Sequence, residues 1–449
     1  MNDRRKVLDL FNEQEASWKQ RAADGIERYR KGDGRITVTD ENGVPIANAK
    51  IKLTQTSHEF RFGANIFMLD ELETEEKNEK YKKYFAELFN MATLPFYWDT
   101  LEPECGKPRY AKDSPKVYRR PPIDLCIEFC EKHGIEPREH ALAYDHFFPE
   151  WLCNASSDAI KAALERRCCE IAERYADRMP TIEVTNEMEW QKGKTAFYDD
   201  ADFVEWCFKT AEKYFPHNQL GINEWISLCW EDKCRSTDKY YAYIEANMLK
   251  GARIDAIGMQ YHLFYKREEE YERTRALLDP QNLYKHMDLY AGLGKPLQIT
   301  EVTVPSYSWE SEDEEIQAEI IEKLYSIWFS HPAVEQIIYW NLVDGYAYVL
   351  DQDPEKIRAT QGNMAIGENY YHGGLLRFDL SPKPAYYKIK ELLQKQWHTE
   401  AELVTDEKGN IDFRGFFGDY TVEIETDGGM ETKTVKLSKN DENNFTLVI

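Results

Sequence analysis

Residues 180–190 read Pro180-Thr181-Ile182-Glu183-Val184-Thr185-Asn186-Glu187-Met188-Glu189-Trp190. The β-branched run at the start predicts a buried strand. Its far end turns polar and aromatic, which a core has no use for. A strand that delivers Asn-Glu at its C-terminal end is the arrangement of a (β/α)8 barrel active site. Pro296-Leu297-Gln298-Ile299-Thr300-Glu301-Val302 answers it with a second apolar strand that ends in a carboxylate. Two glutamates on parallel strand ends are what retaining glycoside hydrolysis needs, one as acid/base and one as nucleophile. Glu187 and Glu301 are therefore the candidate catalytic pair.

Outward from these two strands, strand and helix patterns alternate, the sign of a parallel sheet. Strands are predicted near Phe60–Ile66, Phe89–Pro95, Glu136–Ala143, Thr181–Glu187, Gln219–Glu224, Ile254–Tyr261, Leu297–Val302 and Gln336–Leu342. Helices are predicted at 74–90, 121–133, 156–177, 200–215, 236–250, 269–292 and 313–330. The fold class is α/β, a (β/α)8 TIM barrel over residues 59–397. Residues 1–31 have helical periodicity, which Gly32-Asp33-Gly34 should stop. Residues 32–58 alternate on both sides of Asn42-Gly43 and predict a β-hairpin. Short strands recur over 398–449, with turns at Lys408-Gly409-Asn410 and Gly428-Gly429. Neither terminal piece has enough strands to stand alone. They are expected to pair into one small β-sandwich, the alternative being two separate appendages.

The chain has 449 residues and a formal net charge of −24. That charge argues against nucleic acid and anionic membranes, which would repel it, and suits a neutral oligosaccharide or polysaccharide. No run of 18 apolar residues is present, so no membrane span is expected. Met1-Asn2-Asp3-Arg4-Arg5-Lys6 leads into a charged amphipathic segment, not the apolar core of a signal peptide. The nine cysteines form no CxxC pair and read as reduced thiols. The expected location is cytoplasmic, or secreted where a leader has been removed. No metal-ligand spacing, GxGxxG or P-loop is present, so no cofactor is expected.

From about Phe60 to Leu393 the chain resembles glycoside hydrolase family 10, whose main activity is endo-1,4-β-xylanase. Phe60-Arg61-Phe62-Gly63 is similar to the family's first strand. Trp98-Asp99-Thr100-Leu101-Glu102-Pro103-Glu104-Cys105-Gly106 is similar to its Trp-x-x-x-Glu-Pro-x-x-Gly segment. Glu183–Glu187 resembles the acid/base strand, Gly258-Met259-Gln260-Tyr261-His262-Leu263 the Gly-x-Gln-x-His-Leu strand, and Ile299-Thr300-Glu301 the nucleophile strand. Tyr339–Asp344 and Pro382-Lys383-Pro384-Ala385-Tyr386 add weaker support.

The resemblance implies Glu187 as acid/base, Glu301 as nucleophile and Asn186 as partner of the sugar 2-hydroxyl. It implies His262 as the histidine that orients the nucleophile, with Gln260 near the same carboxylate. His140 opens a segment similar to the third strand. There Tyr144-Asp145 stands where the family has Trp-His, and Asp145 or His146 is expected to meet sugar hydroxyls. Trp340 matches an aromatic that floors the reacting subsite, and Tyr348 stands where a second Trp is usual. Glu189 and Trp190 lie past the acid/base and are candidates for the leaving-group side. The second strand departs most: Thr93-Leu94-Pro95-Phe96-Tyr97-Trp98 replaces an acidic-Asn-acidic-x-Lys-Trp run. Leu94 and Tyr97 take the places of Asn and Lys, so discrimination for that hydroxyl pattern is expected to change. The implied activity is retaining cleavage of β-1,4-linked xylan or xylo-oligosaccharides. The alternatives are another β-linked glycan, or a non-catalytic carbohydrate-binding protein.

Overall fold

The computed structural model describes residues 3–189, 193–231, 233–349, 356, 359–426 and 429–449. Two strands, β1 (Lys31–Thr39) and β2 (Lys50–Gln55), precede the barrel. The barrel strands are β3 (Arg61–Asn65), β4 (Met91–Pro95), β5 (Glu136–His140), β6 (Thr181–Asn186), β7 (Gln219–Glu224), β8 (Ala256–His262), β9 (Leu297–Thr303) and β10 (Val334–Tyr339). They close in sequence order, with β10 returning to β3, and every adjacent pair is parallel. Strands buried on both faces explain why they read as apolar runs rather than as alternating ones.

Three strands carry an extra residue: β10 at Glu335, between Val334 and Gln336, and the two strands that bear the candidate glutamates. In β9, Thr300 and Glu301 together lie opposite one residue of β8, because Met259 pairs with Ile299 and Tyr261 with Val302. The same extra residue shows against β10, where Ile337 pairs with Ile299 and Tyr339 with Val302. In β6 the shift against β7 falls between Glu183 and Thr185. A bulge re-aims the side chains that follow it. The β9 bulge includes Glu301 itself, and the β6 shift ends two residues before Glu187.

The barrel helices follow the predicted segments with one exception, and the N-terminal segment is a 3-10 turn, Asp3–Leu8, and two helices, Asp9–Glu13 and Glu15–Tyr29. The segment 269–292 is two helices, Glu270–Thr274 and Pro280–Ala291. Pro280 has no N–H to donate and so occupies a first helical turn, capped by Asp279, which accepts from Gln281 N at 3.0 Å.

The ends of the chain build a two-sheet β-domain. One sheet runs β12 (Asn410–Phe416), β1, β15 (Asn444–Val448). The other runs β11 (Glu400–Val404), β2, β13 (Gly418–Thr426), β14 (Gly429–Leu437). Ile36, Val38 and Ile411 of the first sheet face Leu53, Val422 and Leu437 of the second across a shared core. The 32–58 hairpin is corrected here. Its turn forms, with Asp40 Oδ1 accepting from Asn42 N and Val44 N. The ladder then stops after the Thr39–Pro45 bridge, whose bonds run from Asp40 N to Val44 O and from Ile46 N to Val38 O, and Val38 N turns to the Gly409 carbonyl instead. β2 crosses to the second sheet and pairs with β11 and β13 instead. The helical segment also ends earlier than expected, at Tyr29, and Lys31–Gly34 already pair with Phe413–Phe416. A Cβ at Gly34 would lie 2.7 Å from the Phe413 ring, so a larger residue there would make that ring shift. Gly428 of the predicted Gly428-Gly429 turn lies outside the described residues.

The β-domain seats against the N-terminal ends of the barrel strands, away from Glu187 and Glu301. Buried Arg30 donates to the carbonyls of Phe329, His331 and Val334. The ring of Trp397 stacks on Phe329 at 4.3 Å and on Phe62 at 5.8 Å. Leu53 is fully buried in the centre of the sandwich. We expect Leu53→Ala to cost about 2–5 kcal/mol, the range for a truncated core leucine, read from denaturant titration. A cost below about 1 kcal/mol would show that the two sheets do not share that core.

Candidate active site

The C-terminal ends of the barrel strands open into a cavity of about 370 Å³. Glu187, Glu301, Asn186, His140, His146, His262, Tyr97, Trp340 and Tyr348 all line it. Asn186 and Glu187 are consecutive, yet both face it. The turn is supplied by Glu187 itself, whose φ of +54° lies in the left-handed region that a non-glycine residue adopts only at some strain.

Glu301 ends the bulge of β9. Asn223 Nδ2 donates to its Oε1 at 2.8 Å, and His262 Nε2 meets its Oε2 at 3.1 Å. The far nitrogen of His262 is 2.9 Å from Thr303 Oγ1. With Thr303 donating to Nδ1, the imidazole proton sits on Nε2 and faces Glu301. Burial pushes the His262 pKa down to about 4, so the ring is neutral over the ordinary range. Burial also raises the Glu301 carboxyl, to about 8, with Glu183 and Glu187 adding like charge while His140 pulls the other way.

Glu187 accepts from Gln260 Nε2 at 3.0 Å and from the Tyr144 hydroxyl. Burial raises the Tyr144 pKa well above the usual phenol value, so the hydroxyl keeps its proton and acts as donor. Asn186 Oδ1 accepts from Asn223 at 3.0 Å and from Gln260 at 3.2 Å. With its carbonyl held twice, the Asn186 amide presents its NH2 to the cavity as a donor. Asn223 is the hub. Its Oδ1 accepts from Thr300 at 2.7 Å, which fixes the flip of the amide, and its two N–H groups serve Glu301, Asn186 and, at 3.3 Å, Glu183.

A second layer lies deeper. Arg138 and His140 Nδ1 both bond Glu183, the latter at 2.9 Å, and Tyr97 OH meets His140 Nε2 at 2.9 Å. Burial pushes Glu183 up, but Arg138 and His140 outweigh it and hold the carboxyl below its ordinary value. His140, Glu183 and Glu301 bring possible ligand atoms within 4.8 Å of one another, a cluster that sequence spacing does not show. Arg138 already occupies the cation position at Glu183, so the donor set suits a guanidinium rather than a metal ion.

Several sequence expectations need adjusting. Asp145 does not face the cavity. It is buried and accepts from Thr195 Oγ1 at 2.5 Å and from Lys194 N, so it anchors that loop. Of the pair, His146 is the exposed residue on the cavity wall. Gln260 serves Glu187, not Glu301. His140 has both ring nitrogens engaged by protein and positions Tyr97 and Glu183. Glu189 pairs with Lys239, and Trp190 lies outside the described residues. Glu102 of the Glu-Pro motif anchors its own loop, accepting from Trp98 Nε1 at 2.8 Å and Arg166 Nη2 at 2.6 Å.

Sequence reading missed Tyr144, Asn223, Trp225, Phe264, Arg119, Arg120 and Glu368. Asn223 carried a signal, since Asn223-Glu224 ends a predicted strand as Asn186-Glu187 does. Trp225 and Phe264 follow strand ends within two residues, and Phe264 stacks on His262 at 4.5 Å and 8°. Arg119 and Arg120 come from a loop and Glu368 from a short 3-10 helix, Gly367–Tyr371, and they carried none.

Closed barrel, bulged carboxylate strands and an amide hub between them define a (β/α)8 protein with a paired-glutamate site. The sequence profile of glycosyl hydrolase family 10 matches residues 54–392, and the chain belongs to that family. Endo-1,4-beta-xylanase 2 of Arabidopsis thaliana is 26% identical over 390 residues, covering 85% of this chain and 31% of that protein. Anti-sigma-I factor RsgI6 of Acetivibrio thermocellus is 25% identical over 431 residues, 94% of this chain and 49% of that protein. The chain thus spans a third to a half of these relatives. Xylanase 10B from Thermotoga petrophila RKU-1, solved with xylobiose, aligns with a TM-score of 0.57 and 22% identity over 75% of this chain and 95% of that one. At that identity the likeness shows the fold.

The raised Glu301 pKa has a consequence for stability. Between about pH 4.5 and 8 the unfolded glutamate is ionised while the folded one holds its proton, so the wild type loses stability as pH rises through that window. Gln is neutral throughout. We expect Glu301→Gln to raise the melting temperature more at pH 8 than at pH 5. An equal shift at both would place the Glu301 pKa near its ordinary value.

Proposed function

We propose that the chain is a retaining β-glycoside hydrolase acting on β-1,4-linked xylan or xylo-oligosaccharides. The observation that carries this reading is the pair Glu187 and Glu301, each on its own bulged strand, facing one cavity through the shared amides of Asn223 and Asn186. One carboxyl is served by Gln260 and Tyr144, the other by Asn223 and His262. Two differently served carboxyls on one cavity suit different roles.

In the first step Glu187 gives its proton to the leaving glycosidic oxygen while Glu301 attacks the anomeric carbon. Retention requires carboxyls about 5–5.5 Å apart. Glu301 must be ionised to attack, a form that burial disfavours up to about pH 8, and the N–H groups of Asn223 and His262 are the contacts that favour it. The Asn186 NH2 is placed to meet the 2-hydroxyl, a contact that strengthens as charge develops on the ring. Forming the ester removes the Glu301 charge. Glu187, now a carboxylate held by Tyr144 and Gln260, then takes a proton from water, which displaces Glu301. The aromatic walls offered to the sugar are Trp340, Trp225 and Phe264.

A relative named as an anti-sigma factor matches most of the chain, so turnover is the measurement that decides between hydrolase and binder. We expect hydrolysis of an aryl β-xyloside and of xylan with initial release of the β-anomer by NMR. Glu301→Ala should abolish both activities. Glu187→Ala should slow xylan more than the aryl glycoside, whose leaving group needs no acid. Full activity in Glu301→Ala would overturn the assignment of the nucleophile. Asn223→Ala, which strips a donor from Glu301, should lower kcat by roughly 10²–10³-fold, as the loss of a preorganised charge-stabilising donor does.

A further inference from the structure

The cavity holding Glu187 and Glu301 does not end at Tyr97. A second cavity of about 490 Å³ adjoins it and shares Arg119, Arg120, Phe147 and Tyr348 as walls. The two arginines are adjacent in sequence and only 3% and 7% exposed. Arg119 Nη1 donates to Asn341 Oδ1 at 2.8 Å and to the Tyr346 carbonyl at 2.6 Å. Arg120 Nη1 donates to the Arg119 carbonyl at 3.0 Å. All these acceptors are neutral. Among the described residues neither guanidinium makes an ion pair, and neither Nε–H has an acceptor.

Nearby acids do not fill the gap: Glu368, which lines the first cavity with both arginines, accepts from Asn341 Nδ2 and the Tyr348 N–H. Glu73 is taken by Tyr346 and Lys77. Burial pushes Glu71 up to about 7 and also raises Asp99, which disfavours their charged forms. Aromatic faces compensate in part. Arg120 lies 3.7 Å over the Tyr97 ring and Arg119 5.4 Å over Phe67. A ring face does not satisfy an in-plane N–H, however, and buried arginines are ordinarily paired with an anion. The guanidinium fork matches a carboxylate with two parallel N–H···O bonds.

We propose that Arg119 and Arg120 form a subsite for the carboxylate of a uronic acid unit carried by the oligosaccharide, one sugar or one branch away from the reacting ring. The inference rests on the hydrolase reading only in that a sugar chain occupies the cavity. It explains how a protein with a net charge of −24 would take an acidic glycan: two buried cations hold a local positive field inside an acidic surface.

Binding tests it apart from turnover. In a Glu301→Gln background, calorimetry would compare a glucuronosyl-decorated xylo-oligosaccharide with the same compound after reduction of its carboxyl to a primary alcohol. We expect at least tenfold tighter binding of the acid, and a ratio that falls to about one in Arg120→Gln and in Arg119→Gln. Arg120→Lys, which keeps the charge and loses the fork, should retain only part of it. Equal affinity for both compounds would overturn the proposal, as would a preference that survives both Gln variants. The first of these outcomes needs no arginine variant to fold. Loss of xylan turnover with the acid preference intact would overturn the hydrolase reading and leave the subsite standing.

Discussion

The amide of Asn223 is the point on which the mouth of the barrel depends. It is buried at the end of β7, between the strands that carry the two glutamates. Its carbonyl is fixed by Thr300, so its two N–H groups have no freedom of direction. They orient Glu301, and they turn Asn186 so that only its NH2 faces the cavity. On the other side Gln260 Nε2 donates to Glu187 and to the same Asn186 carbonyl. Buried polar networks of this kind are stable only when each member is satisfied. Removing one donor therefore disturbs a set of groups and not a single contact.

The scaffold supplies that network through backbone irregularity. A regular strand sends consecutive side chains to opposite faces. Thr300 and Glu301 are consecutive and both reach the Asn223 amide, which the extra residue in β9 makes possible. Glu187 reaches the cavity beside Asn186 through a left-handed backbone. The stiffness to hold these features comes from outside the site. Lys383 and Asp344, fully buried and 2.7 Å apart, tie the loop after β10 to the last barrel helix. Asp344 also accepts from Trp309 and Gly374, so the loop bearing Trp340 is pinned from three directions. At the opposite end Arg30 and Trp397 close the barrel floor against the β-domain.

Much of the fold and part of the site were legible in the sequence. Eight apolar runs in alternation with helical periodicity locate the barrel strands to within a few residues, because burial on both faces leaves little choice of residue type. Glu187, Glu301, Asn186 and His262 stood out because polar residues closing an apolar strand have no packing explanation. Asp145 misled because a carboxylate beside a strand end reads the same whether it meets a ligand or caps a loop. The hairpin at Asn42-Gly43 misled because a turn signal is local, while the partner of each strand is chosen by which core its side chains join.

Composition and pattern by themselves determined the barrel, the two carboxylate strands and the use of both chain ends for additional strands, since each follows from short-range periodicity and from where polar residues interrupt it. Only the tertiary structure decided which donor serves which carboxylate, that Gln260 belongs to Glu187 and Asn223 to Glu301, and that loop arginines line the cavity where the second strand has become apolar. Those choices depend on bulges of one residue and on contacts between segments far apart in the chain. Neither leaves a periodic trace, because a hydrogen bond is specified by position in space and not by spacing in sequence.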